Sequence, residues 1–235
     1  MRKTSVDGQL LIKKTLPQDI FSEGITMLGN NQILMLTWRQ KVFYVFDSES
    51  LDEVQRGPFP LREAWGVAYD GTHLFVTDGS PKMHVLNPAS MQVTGQVTIT
   101  YQGKPVPKIN DMEFVPAMRK IIANRWFDHR LAIIDPSSGV VEQWIDLSDV
   151  QFRARQEIQW LLASPENLSP PFVEAIVKRE NCLNGVTYVT PDLRTGPLEK
   201  CHLLVTGKLW PKVYCVSLQS GDEDKSGRKE FEEVN

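Results

Sequence analysis

A carboxylate (Glu23), an amide (Asn110), an ammonium (Lys208) and four indoles (Trp38, Trp65, Trp126 and Trp210) stand at recurring points of a repeated pattern in this 235-residue sequence. Brought into one pocket, these types would suit proton transfer beside an oxygen that becomes negative. Indole walls exclude water, which raises the pKa of a neighbouring carboxyl group and lets it take and return a proton near neutral pH. An amide N–H and an ammonium can hold the developing oxyanion. Taken singly, each residue has an ordinary reading: a solvated loop acid, a turn asparagine, a strand-end lysine, a packed tryptophan. Six tryptophans is a high number for this length, however, and only Trp144 and Trp160 fall off the repeat. The set therefore points to an aromatic-walled pocket.

Other chemistries find less support. Three cysteines (Cys182, Cys201, Cys215) form no C-x-x-C pair, and four histidines (His73, His84, His129, His202) show neither H-x-H nor H-E-x-x-H spacing, which disfavours a catalytic metal and a disulfide framework. The net charge of −3 is uneven: the tail from Gly221 to Asn235 holds six acids against three bases, and residues 1–220 balance at 23 against 23. A neutral body lacks the basic stripe that nucleic acid or an anionic membrane would require. No apolar run approaches the roughly 18 residues of a membrane span, and no signal-peptide core follows Met1. The tail 221–235 reads as an acidic, disordered extension of a domain covering residues 1–220.

The elements that must position these residues repeat in fixed order. A first short strand opens at Glu23-Gly24, Trp65-Gly66, Asn110-Asp111 and Asn184-Gly185, with starts 42, 45 and 74 residues apart. An apolar second strand follows each, at Ile33–Trp38, Leu74–Asp78, Ile121–Trp126 and Leu203–Lys208. Third strands run over Val42–Asp47, Met83–Asn87, Leu131–Asp135 and Val213–Leu218, with Pro88 and Pro136 directly after two of them. Fourth strands fit Val93–Thr100 and Val140–Ile145. Four short strands every 40 to 50 residues is the pattern of a β-propeller, whose inner strands converge on a central channel. A β-sandwich has no reason to repeat one signature at every fourth strand. The 74-residue step contains a helical insertion around 148–180. In it Val150, Ala154, Ile158, Leu161 and Leu162 follow helical spacing after candidate caps Ser148 and Asp149, and a second helix begins after Ser169. Residues 1–14 read as an outer strand pair ahead of the first full blade.

The runs Phe21-Ser22-Glu23-Gly24-Ile25-Thr26, Leu36-Thr37-Trp38, Trp65-Gly66, Asp78-Gly79-Ser80, Ile109-Asn110-Asp111-Met112-Glu113, Ala123-Asn124-Arg125-Trp126, Leu183-Asn184-Gly185 and Thr206-Gly207-Lys208-Leu209-Trp210-Pro211 resemble the plant and bacterial type of glutaminyl cyclase, the glutamine cyclotransferases. The resemblance keeps that family's order across nearly all of residues 1–218. It implies an all-β, five-bladed propeller, here with its first blade incomplete, and cyclisation of N-terminal glutamine of peptides or proteins to pyroglutamate with release of ammonia. It implies no cofactor or catalytic metal, peptide or protein substrates as partners, and a monomer. Carried over by position, it makes Glu23, Asn110, Lys208 and Trp126 catalytic, and Phe21, Trp38, Trp65 and Trp126 substrate-binding. The chain departs from the family in three ways. A Phe-Thr-Gln-Gly motif that precedes everything found here is absent, Asp111 replaces a usual Glu, and Arg125 replaces a usual Val beside Trp126. The competing readings are a non-catalytic propeller, either an inactive fragment or a peptide-binding interaction platform, and a metal-dependent lactonase propeller.

Overall fold

The computed structural model describes residues 1–163, 168–177, 181–218 and 231–234. A short hairpin of β1 (Arg2–Thr4) and β2 (Leu10–Lys13) opens the chain and turns at Gly8, whose φ is +84°. Three antiparallel four-stranded sheets follow in strict sequence order. They are β3 (Ser22–Met27), β4 (Gln32–Thr37), β5 (Val42–Asp47) and β6 (Glu53–Pro58); then β7 (Val67–Tyr69), β8 (Leu74–Thr77), β9 (Lys82–Leu86) and β10 (Val93–Thr98); and, after a small hairpin of β11 (Thr100–Tyr101) and β12 (Lys104–Pro105), β13 (Ile109–Val115), β14 (Lys120–Arg125), β15 (Arg130–Ile134) and β16 (Val141–Asp146). Helices α1 (Ser148–Leu162) and α2 (Pro170–Val177) precede a fourth such sheet of β17 (Leu183–Tyr188), β18 (Leu203–Gly207), β19 (Val213–Val216) and β20 (Phe231–Val234). Up-and-down sheets in sequence order, with inner strands β3, β7, β13 and β17 packed as neighbours, make an all-β, propeller-like arrangement of four described blades.

The sequence dictates this layout through a gradient of polarity across each sheet. In the first, β4 and β5 (QILMLT and VFYVFD) are apolar on both faces and buried, whereas the outer strand β6 (EVQRGP) is almost wholly exposed. A strand that is apolar on both faces must be covered on both sides. Three cores lie between successive sheets: Leu36, Phe43 and Val76 between the first and second, Phe75, Met112 and Ile134 between the second and third, and Ile133, Leu183 and Val205 between the third and fourth. The outer face of the first sheet (Met35, Tyr44, Phe46) is covered by Met1, Leu16 and Ile20 from the N-terminal segment.

The third-to-fourth strand turn is the same device in three sheets. Asp47, Asn87 and Asp135 each accept, at Oδ1, the backbone N–H groups two and three residues on, at 2.8–3.0 Å. The fifth turn residue (Leu51, Met91, Gly139) has φ between 55° and 73° and returns its N–H to the first residue's carbonyl. This explains why the third strands close on Asp or Asn.

The insertion is helical, as its spacing predicts. Val150, Ala154 and Ile158 are buried in the core between the third and fourth sheets, so α1 acts as packing in that cleft. The cap differs from the expectation: Ser148 is the first helical residue, Leu147 precedes it without a side-chain bond, and the Ser148 N–H donates to Asp146 Oδ1 at 2.8 Å. Residues 221–230 and Asn235, the larger part of the expected disordered extension, lie outside the described residues. Phe231–Val234 pairs with β19, which offers it a row of backbone donors and acceptors, as the outer strand of the fourth sheet. Among the described residues no helix is long and apolar enough to cross a membrane.

Candidate active site

Each signature pair sits where its inner strand departs from regular pairing. The register of β3 breaks between Ser22 and Ile25, that of β13 between Ile109 and Met112, and that of β17 between Leu183 and Val186. The residues left over are Glu23-Gly24, Asn110-Asp111 and Asn184-Gly185; in the second sheet the matching pair, Trp65-Gly66, lies just ahead of β7. Such bulges re-aim side chains without ending the sheet. The inner strands also approach closely here. A Cβ on Gly66 would stand 1.7 Å from the Asn110 carbonyl oxygen, so only glycine fits. At the second-strand ends, Trp38, Trp126 and Lys208 occupy one equivalent position: their N–H groups donate to the carbonyls of Phe21, Lys108 and Cys182, each lying just before an inner strand, at 2.8–3.0 Å. Bulges and strand ends thus deliver the sequence-predicted residues to one end of the molecule.

Four of the five predicted wall and site aromatics form a continuous series. Phe21 tilts against Trp38 at 5.7 Å between ring centroids, and Trp65 meets Trp126 edge-on at 5.5 Å. The two pairs are joined by Glu63, which sequence reasoning missed. Its Oε2 accepts the indole N–H of both Trp38 and Trp65 at 3.2 Å, while its Oε1 takes the Arg39 guanidinium at 2.9 Å. These bonds hold the Glu63 carboxyl below the ordinary carboxylate range against its own desolvation. Arg39 also lies 3.9 Å over the Trp38 ring, and Phe127 packs 4.5 Å from Trp126. The fifth aromatic, Trp210, belongs to the core between the third and fourth sheets. It packs on Tyr214 at 5.7 Å and against the backbone of Gly207, where a Cβ would come within 2.2 Å of its ring. A match of sequence position did not carry Trp210 to the wall, because the turn after Gly207 folds it inward.

The polar groups gather beside this wall. Burial pushes the Glu23 carboxyl up to about 7, with the Lys208 ammonium opposing and the Asp111 carboxylate adding to the rise. Glu23 from the first sheet, Asp111 from the third and Lys208 from the fourth therefore share one electrostatic neighbourhood. Asp111 is itself raised to about 6 by burial, although its Oδ2 accepts the Val186 N–H at 2.8 Å. Glu113 is raised to about 7 by burial and by Asp111. Asn110 is buried and donates from Nδ2 to Asn184 Oδ1 at 3.0 Å, so one amide hydrogen is committed to the neighbouring signature. Behind it, the wholly buried Asn124 accepts the Asp111 N–H at 2.9 Å and donates to the Leu183 carbonyl at 2.8 Å, linking the third and fourth sheets. Lys208 is exposed. Among the described residues, no grouping of three or more His, Cys, Asp or Glu side chains is arranged to hold a metal ion.

A half-buried carboxyl raised to about 7, with an ammonium in its neighbourhood, can accept a proton from a nucleophile and return it to a leaving group. Residues 1–218 match the family model described as glutamine cyclotransferase. Over 220 residues the chain is 28% identical to a glutaminyl-peptide cyclotransferase of Arabidopsis thaliana, covering 94% of this chain and 59% of that protein. The chain thus spans little more than half the length of that relative. Its fold is similar to the crystal structure of Myxococcus xanthus glutaminyl cyclase, with a TM-score of 0.66 and 23% identity over 83% of this chain and 72% of the other.

Proposed function

The chain belongs to the glutamine cyclotransferase family, and from that premise we propose that it converts the N-terminal glutamine of peptides or proteins to pyroglutamate with release of ammonia. The observation that carries the reading is Glu23: a half-buried carboxyl raised to about 7, beside Lys208. The substrate's α-amino group, with an ordinary pKa near 8, must lose a proton as it attacks its own side-chain amide carbon. Closing the five-membered ring is intramolecular, so a pocket that holds the bent conformer removes much of the entropic barrier.

The roles divide as follows. Glu23 takes the amine proton as the N–C bond forms, and the former amide oxygen becomes the oxyanion. Asn110, Lys208 and Trp126 stabilise that oxygen. The protonated Glu23 then passes its proton to the departing nitrogen, the C–N bond breaks, and ammonia leaves. The carboxylate is regenerated, so protons and charge balance over the cycle. Phe21, Trp38, Trp65 and Trp126 wall the side chain and exclude water. The indole N–H groups of Trp38 and Trp65 are both committed to Glu63, which supports a packing role for these two rings and leaves oxyanion stabilisation to Asn110, Lys208 and Trp126.

The finer architecture follows the same premise. A closed ring of five blades, with β1–β2 as the outer pair of the first, gives β3 a neighbour on its open side. This is supported by the exposure of Ile25 (45%) and Met27 (52%), apolar residues of an inner strand. The direct test follows ammonia release and the accompanying mass loss from a peptide beginning with glutamine, using the present chain and one extended upstream by two strands. Turnover that Glu23→Gln abolishes supports the reading; folded protein of both lengths without turnover overturns it. Turnover by the extended chain alone makes the pocket dependent on a fifth blade.

A further inference from the structure

Beside the aromatic wall lies a second cleft, lined by Tyr101, Lys104, Arg125, Arg130 and Trp144 among others. Arg125 directly precedes Trp126, and neighbouring residues at a strand end project to opposite sides, so one backbone segment serves both the wall and the cleft. Lys108, 5.7 Å over the Trp126 ring, extends the run of cations from the cleft to the wall. Three cations line the cleft and no carboxylate does.

The neighbouring acids leave part of this charge uncompensated. Both Asp128 oxygens are taken up by Arg130, which donates from Nε at 2.9 Å and Nη2 at 2.7 Å. Arg125 Nη1 makes a longer ion pair with the same carboxylate at 3.7 Å, and Arg125 uses Nε on the Pro107 carbonyl at 3.1 Å. Among the described residues its outer nitrogens have no hydrogen-bond acceptor, and Lys104 has no ion pair. Asp146, the other nearby acid, acts on Arg130 and pairs with His129 at 3.7 Å. The floor is aromatic: Arg130 lies 4.6 Å over Trp144, and Tyr101 meets that ring edge-on at 5.9 Å. The buried Trp144 Nε1–H has no acceptor among the described residues.

A guanidinium held by its Nε bond and only distantly paired with Asp128, so that its outer nitrogens keep hydrogen-bond donors to offer, beside a lysine ammonium, matches a carboxylate in geometry and charge. We propose that this cleft binds an aspartate or glutamate side chain a few residues after the substrate's N-terminal glutamine, making the enzyme selective for peptides with an acidic segment there. The proposal rests on the cyclotransferase reading. A few extended residues, at about 3.3 Å each, are enough to pass from the wall over Arg125.

The test compares glutamine-initiated peptides that carry Glu, Ala or Lys at the second to fourth positions. The expected result is a KM about tenfold lower for the best Glu peptide than for its Ala counterpart, with kcat unchanged, as one charge-assisted contact would give. The difference should shrink in high salt and disappear in Arg125→Val and, independently, be reduced in Lys104→Gln, a surface change that spares folding. Equal KM values for the Glu and Ala peptides, or a preference that survives both variants, overturn the proposal while leaving the cyclisation intact. If no peptide is cyclised, the cyclotransferase reading fails instead, and calorimetric binding of the same Glu and Ala peptides judges the cleft alone. Tighter binding of the Glu peptide that Arg125→Val removes supports it; equal or absent binding overturns it.

Discussion

Glu23 would be an unremarkable strand-opening acid at its ordinary pKa; burial beside Asp111 raises it to about 7, and Lys208 limits the rise. If it is the base, kcat/KM should climb with pH through about 7 as the carboxylate forms. Lys208→Met, which removes the opposing ammonium, should move that limb to higher pH, as a pH–rate profile would reveal. Glu23→Gln keeps the shape and loses the proton transfer, so kcat should fall by about 10²-fold to 10⁴-fold. Retained turnover would sink the role. Glu63 acts through the two rings it bridges. Glu63→Ala frees both indoles and should raise KM more than it lowers kcat, with a changed tryptophan emission spectrum, while Glu63→Gln, which retains one acceptor oxygen, should recover part of the loss.

At the scale of elements, the bulged openings of β3, β13 and β17 turn a repeated strand into a set of differently armed positions. They demand close backbone approach. Gly66→Ala should destabilise the fold by more than the usual 1 kcal/mol of a point change, because the added methyl would meet the Asn110 carbonyl at 1.7 Å and backbone, not a flexible side chain, would have to move. A thermal melt checks this, and an unchanged midpoint would refute the crowding. These elements were legible early: the ends of the predicted strands came within a residue or two of the observed ones, since short apolar runs and Asx turns are local signals. Glu63 was not legible, because its partners Trp38 and Arg39 lie some 25 residues away and no short-range pattern marks a carboxylate that spans two blades.

For the whole molecule, three carboxyl groups raised by burial (Glu23, Asp111 and Glu113) set a pH dependence of stability. Their folded-state values lie above their unfolded ones, so between about pH 4 and 7 the folded chain holds protons that the unfolded chain has already released. Stability from these groups is therefore greatest below that window and falls as pH rises through it. Melting temperatures should decline from pH 5 to 8, and Glu113→Gln should flatten the decline and raise the midpoint at pH 8 with little effect at pH 4. A slope that rises with pH and ignores this substitution would show that the site does not hold the protons.

What the sequence by itself determined is what recurs within tens of residues: the strand repeat, the insertion helices, the turn chemistry and the types of residue at each blade opening. The tertiary structure decided which of those equivalent positions face one another. Trp38, Trp65 and Trp126 reach a common wall while Trp210 turns into the core, and the Glu23 carboxyl is raised to about 7 because the fold buries it, with Lys208 from another sheet opposing the rise and Asp111 adding to it. The physical reason is range. Hydrophobic periodicity and hydrogen-bonded turns are properties of adjacent residues, whereas desolvation and charge coupling depend on whatever the fold places across the channel.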